Sequence, residues 1–277
     1  MKKIIALLLA ALMVAACFAG CGTNETNTPD TTPDATGNNN ADTPASDMAD
    51  VIANGKLVVG ITEYEPMDYL DENNEWTGFD AEFARLFAEE LGVDCEFFVL
   101  GDWGKKFFEL DAKTIDCVWN GMTITDEALN NASVSDPYVV NAQVVVMKAD
   151  KLADYQDVES MKALTFAVEE GSAGQSVAEE NGLTTIAKQD QAGALLEVVS
   201  GASDACVIDI TMAYAMTGEG SDYADLGVGI SLSTEEYGVA FRKDSDLTAK
   251  FNDFMAGLKE SGQLQTLADK YQLTLAD

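Results

Sequence analysis

The sequence predicts an α/β protein of two lobes, each a mostly parallel sheet flanked by helices, with two hinge strands between them. Three observations carry this. Short apolar strands alternate with amphipathic helices from Gly55 onward, the pattern of βα units. The same alternation restarts from Leu164. Two long strand-like runs, 139–147 and 236–242, lie where the chain would leave the first unit and return to it.

The elements follow in order. Lys56–Ile61 (KLVVGI) is a compact apolar strand running into a loop that carries Tyr64 and Pro66, and Pro66 forbids strand continuation. Phe79–Leu91 has apolar residues at 79, 83, 86, 87 and 91, the spacing of an amphipathic helix, with Gly92 as its stop. A strand at 95–100 and a helix at 103–112 come next. The stretch 115–147 organises the rest. It opens with an apolar strand ending at Asn120-Gly121, then a hydroxyl-bearing turn, Thr123-Ile124-Thr125, before the acids Asp126 and Glu127. Thr125 or Asp126 would cap a helix there, leaving N–H groups aimed at whatever precedes it. Ser135-Asp136-Pro137-Tyr138 breaks the pattern before the first long run.

In the second unit, strands at 164–168, 184–187 and 204–208 alternate with helices at 175–180, 192–200 and 211–216. Gly171-Ser172-Ala173-Gly174 is a tight turn into the first of these helices, and the last strand ends at Asp209. Helices at 247–259 and 264–271 finish the chain. The lobes would comprise 48–142 with 237–277, and 143–236. In such folds ligands bind outside the strand C-termini, here in a cleft between the lobes.

Residues 1–20 stand apart. Lys2-Lys3 and the apolar run after them form a secretory signal, too short for a stable transmembrane span. Phe18-Ala19-Gly20-Cys21 resembles a bacterial lipobox with Phe18 in place of the usual Leu, which implies cleavage before Cys21 and lipid on that residue. Residues 21–47 are rich in Thr, Asn, Pro and Asp and would form a disordered tether.

The formal charge is −32, and removing Lys2 and Lys3 makes it −34. That argues against nucleic acid or an anionic membrane face as partner. The chain has no histidine and no CxxC spacing, so zinc sites and histidine-based catalysis have no residues to stand on. No metal or cofactor is expected. Cys95, Cys117 and Cys206 sit in apolar strand contexts and read as buried small hydrophobes, with a Cys95–Cys117 bridge as the alternative.

From Gly55 to Tyr271 the chain resembles the family 3 bacterial extracellular solute-binding proteins, the polar-amino-acid receptors of ABC importers. The residues that carry the resemblance are GKLVVGI, Tyr64-x-Pro66-Met67, Trp76-Thr77-Gly78-Phe79-Asp80, Gly121-Met122-Thr123-Ile124-Thr125, Ser135-Asp136-Pro137-Tyr138, the Gly171-Ser172 turn and Asp204…Asp209. The resemblance implies a periplasmic-binding-protein-like (type II) fold that closes over a free amino acid and delivers it to a membrane permease. By position, Tyr64 would flank the ligand side chain. Gly121, Met122 and Thr123 would face its polar head. Ser172 and Ala173 would present N–H groups to a carboxylate. Asp209 would take the α-ammonium. Trp119 and Trp103 would add aromatic walls.

Each role has a plainer counterpart. Tyr64 reads equally as a rim aromatic, Trp119 as core, and Ser172 and Asp209 as helix caps. Trp76 and Phe79 read as structural, Asp80 as a cap, and Asp126 and Glu127 as serving a helix dipole. One departure stands out: family members place an arginine just after the GMTIT-like motif, and here that position is Ala128. The carboxylate would then be held by N–H and hydroxyl groups, or by a lysine such as Lys105, or the ligand is not an ordinary α-amino acid. The expected function is a lipid-anchored, monomeric binding protein of an ABC importer rather than an enzyme. The alternatives are a ligand-sensing module acting through a separate receptor, and a dehydratase-like enzyme on the same fold.

Overall fold

The computed structural model describes residues 46–218, 220, 221 and 223–277. The signal segment and Cys21 lie outside them. The first described element is α1 (Asp47–Asn54), capped by Ser46, so the last residues of the stretch read as tether belong to a helix start. Ser46 Oγ and the Met48 N–H both bond the Asp246 carboxylate, and Asp47 pairs with Arg242 at 3.0 Å.

The first lobe contains β1 (Lys56–Ile61), a small hairpin of β2 (Tyr69–Leu70) and β3 (Trp76–Thr77), α2 (Phe79–Leu91), β4 (Asp94–Val99), α3 (Lys106–Asp111), β5 (Cys117–Val118), α4 (Asp126–Asn131) and β6 (Ser133–Val134). A 3₁₀ turn, Trp103–Lys105, leads into α3. Next come β7 (Val139–Asn141) and β8 (Gln143–Lys148), a 3₁₀ segment Ala149–Asp154, α5 (Val158–Met161), β9 (Thr165–Glu169), α6 (Ala173–Glu180), β10 (Thr184–Lys188), α7 (Gln191–Ser200), β11 (Ala205–Asp209), α8 (Ile210–Met216) and β12 (Leu226–Ser231). The chain returns through β13 (Glu235–Tyr237) and β14 (Ala240–Phe241) and ends with α9 (Asp246–Ser261) and α10 (Gln263–Lys270).

Each lobe is built on a five-stranded sheet, ordered β4-β1-β5-β14-β6 in the first and β10-β9-β11-β8-β12 in the second. The two plans match. In each, four strands run in one direction and one, β14 or β8, runs against them, and that reversed strand is the one by which the chain enters the lobe after a crossing. The long run at 139–147 divides at Ala142 because its halves serve different partners. β7 pairs with β13 and bridges to Leu275 near the chain's last residues, whereas β8 sits between β11 and β12. The return run divides likewise at Gly238-Val239. The hinge is therefore the antiparallel pair β7–β13.

The first lobe's core is aromatic. Phe83, Phe87, Trp119 and Phe251 meet edge to face, with Trp119 ring centroids 4.9 Å from both Phe83 and Phe251. β1 lies between β4 and β5, so Cys95 and Cys117 sit beside Leu57 and Val59 rather than each other, and both are free thiols. Neither arginine faces the cleft. Arg85 donates to the Trp76 carbonyl at 2.6 Å, and Arg242 bridges Asp47 and Asp116.

Candidate functional site

A cavity of about 300 Å³ lies between the lobes, at the small end of the usual range for small-molecule sites. Its first-lobe wall is made of Tyr64, Trp103, Lys106 and the turn from Asn120 to Thr123. The second-lobe wall is made of Gln143, Glu169, the Gly171–Ala173 turn, Gln191 and Asp209. Most of these residues stand at the C-terminal ends of strands or in the turns after them, where chain direction changes and side chains converge.

The turn after β5 is held from below. Asp80 is not a helix cap: its Oδ2 accepts from the Gly121 N–H at 2.6 Å and the Tyr138 hydroxyl at 2.8 Å, and α2 starts at Gly78 without a side-chain cap. Burial pushes the Asp80 carboxyl up to about 7. Asn120 is fixed by Thr62 and by Asp68 at 2.8 Å. Gly121 has φ 54°, and a Cβ there would fall 2.5 Å from the Tyr64 ring. Only glycine lets that ring lie on the turn. The Tyr64 hydroxyl is 2.5 Å from Thr211 Oγ1, in the second lobe, and 2.5 Å from the Tyr237 hydroxyl.

Asp209 closes the other side. It stands at the N-cap position of α8 yet makes no side-chain cap bond, so the helix-cap reading of this residue does not hold. Its carboxylate instead accepts from Asn141, from Gln143 Nε2 at 2.8 Å and from Gln191. Burial, followed by the charge of Glu235, raises its pKa to about 7. Glu235, on the hinge strand β13, accepts through Oε1 from Thr123 at 2.8 Å, Asn141 at 2.7 Å and Gln143 at 2.7 Å. One amide pair thus spans two carboxylates, and Thr123 ties the first lobe to the hinge.

Glu169, at the end of β9, is buried with Oε1 unpartnered, and burial followed by the Asp209 charge raises its pKa to about 8. Ser172 does cap α6: its hydroxyl accepts from the Gln175 N–H at 3.0 Å. The first turn of that helix leaves the Ala173 and Gly174 N–H groups outside its ladder.

Of the residues singled out from sequence, Tyr64, Gly121, Met122, Thr123, Ser172, Ala173 and Asp209 line one cavity, as does Trp103. Trp119 does not, which corrects the reading of it as an aromatic wall. Its ring is fully buried on the far side of the sheet, where the phenyl rings of α2 and α9 enclose it. Lys105 is exposed and paired with Asp102 at 2.7 Å, and the lysine in the cleft is Lys106.

The site also holds Asn120, Gln143, Glu169 and Gln191, which sequence reasoning passed over. Gln143 had a signal. With Asn141 it interrupts an apolar run at a spacing of two, which puts both side chains on one face of an extended segment. Glu169 ends an otherwise apolar strand. Lys106, one of two adjacent lysines, had none.

A family model for the bacterial extracellular solute-binding proteins, family 3, matches residues 57–274. The chain belongs to this family. It is 30% identical over 223 residues to the arginine-binding extracellular protein ArtP of Bacillus subtilis (strain 168), covering 78% of this chain and 86% of that protein. Among solved structures, a mutant of ArgBP from T. maritima superposes with a TM-score of 0.75 at 31% identity, covering 81% of this chain and 98% of that one. The ancestral amino acid-binding protein AncCDT-1, a precursor of cyclohexadienyl dehydratase, superposes with a TM-score of 0.75 at 30% identity, covering 82% and 99%. The lobed α/β architecture is that of the family, a two-lobed type II fold, and the cavity lies between the lobes.

Proposed function

We propose that the protein binds a free amino acid, with a basic one as first candidate, and hands it to the permease of an ABC importer while lipid on Cys21 holds it at the cell surface. The observation that carries this is Asp209, a carboxylate buried in the interlobe cavity and hydrogen-bonded on both oxygens by amides instead of capping its helix. Such a group is held ready for a charge-assisted bond from an ammonium. The cavity is acidic: Asp126, Glu127, Glu169, Glu180 and Asp209 line it with one cation, Lys106. Arginine is also what ArtP, by its name, binds. The lipobox at Cys21 and the spacer after it support the tethered location.

Glu169 motivates a second reading. A carboxyl that stays protonated near neutral pH in an enclosed cavity is the kind of group used for acid catalysis. One experiment addresses both. The purified protein, stripped of ligand by unfolding and refolding, is heated with each of the common amino acids, and the solute is recovered afterwards. A ligand at about 100 times its dissociation constant adds roughly 2.7 kcal/mol, a rise of several degrees. A rise with unchanged solute supports binding, and a converted solute means an enzyme. If no amino acid raises the transition, the amino-acid reading fails.

A further inference from the structure

We propose that Lys106 is the carboxylate anchor of this site, gripping the ligand's acid group together with the N–H groups at the start of α6. This rests on the ligand being an amino acid.

The first support is placement. Lys106 is the first residue of α3 and is only 5% exposed, yet it lines the interlobe cavity and is the one cation among the described lining residues. Arg85 and Arg242 are committed elsewhere, and Lys105 is paired with Asp102 at the surface. Ala128, on the same wall, offers only a methyl group.

The second support is unmet bonding capacity. An ammonium has three donors. Here it reaches the Trp103 carbonyl at 3.4 Å and the Gly171 carbonyl at 3.3 Å, both long for a charged donor. It forms no ion pair among the described residues; burial lowers its pKa, against the opposing charges of Glu127, Glu169 and Asp102. Two ring faces also lie against it, with Nζ 4.9 Å from the Trp103 centroid and 5.0 Å from that of Phe107. Rings hold the ammonium in place without saturating it.

The third support is what lies opposite. The Gly171 carbonyl belongs to the turn that leads into α6, so Lys106 Nζ reaches from the first lobe to the edge of that helix's first turn. The free Ala173 and Gly174 N–H groups are in that turn, and both residues lie on or beside the cavity wall. A carboxylate held there meets a cation from one lobe and N–H donors from the other. An ammonium one carbon away then has Asp209 as its partner in the second lobe.

The test compares each amino acid that binds the wild-type protein with its uncharged carboxamide, by calorimetry, on wild type and the Lys106→Met and Lys106→Arg variants. The wild type should prefer the acid. Lys106→Met should lose about 10- to 100-fold for the acid while carboxamide affinity stays within about threefold, which also shows that the variant is folded. Lys106→Arg should recover part of the preference. If Lys106→Met weakens acid and carboxamide equally, Lys106 is only a clamp between lobes and the proposal is overturned. The same holds if the preference survives unchanged. If no amino acid binds the wild type, it is the amino-acid reading that falls first, before any variant is made.

Discussion

Gly104 and Gly171 meet backbone to backbone across the mouth of the cleft, one from each lobe. A Cβ on Gly171 would lie 2.7 Å from Gly104 Cα and 3.1 Å from Gly104 N. Neither atom can yield as the end of a side chain would. The contact sets how near the lobes approach when the cavity is enclosed.

Gly171→Ala should therefore hold the cleft ajar. Its φ of 71° adds about 1–2 kcal/mol of local strain to the steric wedge. Small-angle scattering should show a larger radius in the presence of ligand, and affinity should fall about tenfold or more. At Gly104 the nearest second-lobe atom to a new Cβ is 4.0 Å away, so Gly104→Ala should bind like the wild type. Equal behaviour of the two variants would refute a contact-limited closure.

Asp209→Asn should abolish tight binding without unfolding the protein. A charged hydrogen bond is worth about 1.5–3 kcal/mol, or roughly 10- to 150-fold in affinity. The variant should melt within a few degrees of the wild type at pH 8, because removing a charge buried among other acids offsets the acceptor lost to the amides around it. Calorimetry alongside thermal unfolding reads both effects.

The ligand-free protein should lose stability as pH rises. Folding lifts Asp209 from 3.8 to about 7 and Glu169 from 4.5 to about 8, in both cases through burial. Between those values the folded chain keeps protons that the unfolded chain has shed. The stabilisation is thus complete below about pH 4 and lost as pH climbs through about 7 to 8. Urea denaturation from pH 5 to 8.5 should show the decline, and Glu169→Gln should flatten it. Affinity for an ammonium should run the other way, rising with pH until Asp209 is fully ionised.

Trp119→Phe separates core from wall. Vacating part of an enclosed ring site should cost roughly 1–3 kcal/mol of stability, by analogy with other large-to-small core changes. The affinity of a protein that remains folded should stay within about twofold. A large loss of affinity at unchanged stability would return Trp119 to the site.

Much of the lobed plan was legible because strand and helix periods are local. Phe79–Leu91 and Lys56–Ile61 emerge with the limits that their apolar spacing and flanking glycines set. β12 was missed because its glycines, Gly227 and Gly229, interrupt the apolar signal; they leave room for Leu152 and the neighbouring strand. Within the site, turn residues such as Gly121 and Thr123 could be placed because their roles depend on backbone geometry. Glu169 and Lys106 could not, since their meaning comes from groups far along the chain, Asp209 for the one and Gly171 for the other. Trp119 misled for a related reason: in a strand, a shift of one residue decides which face a side chain takes.

The first described residues of the chain are fastened to one lobe alone. Ser46 and Asp47 are tied to Asp246 and Arg242, both of which follow the return crossing into the first lobe. Any pull from upstream of Ser46 is therefore taken up there, as on the fixed leaf of a door. The second lobe, joined covalently only through β7 and β13, bears none of that load. It can swing without disturbing the bonds that hold Ser46 and Asp47.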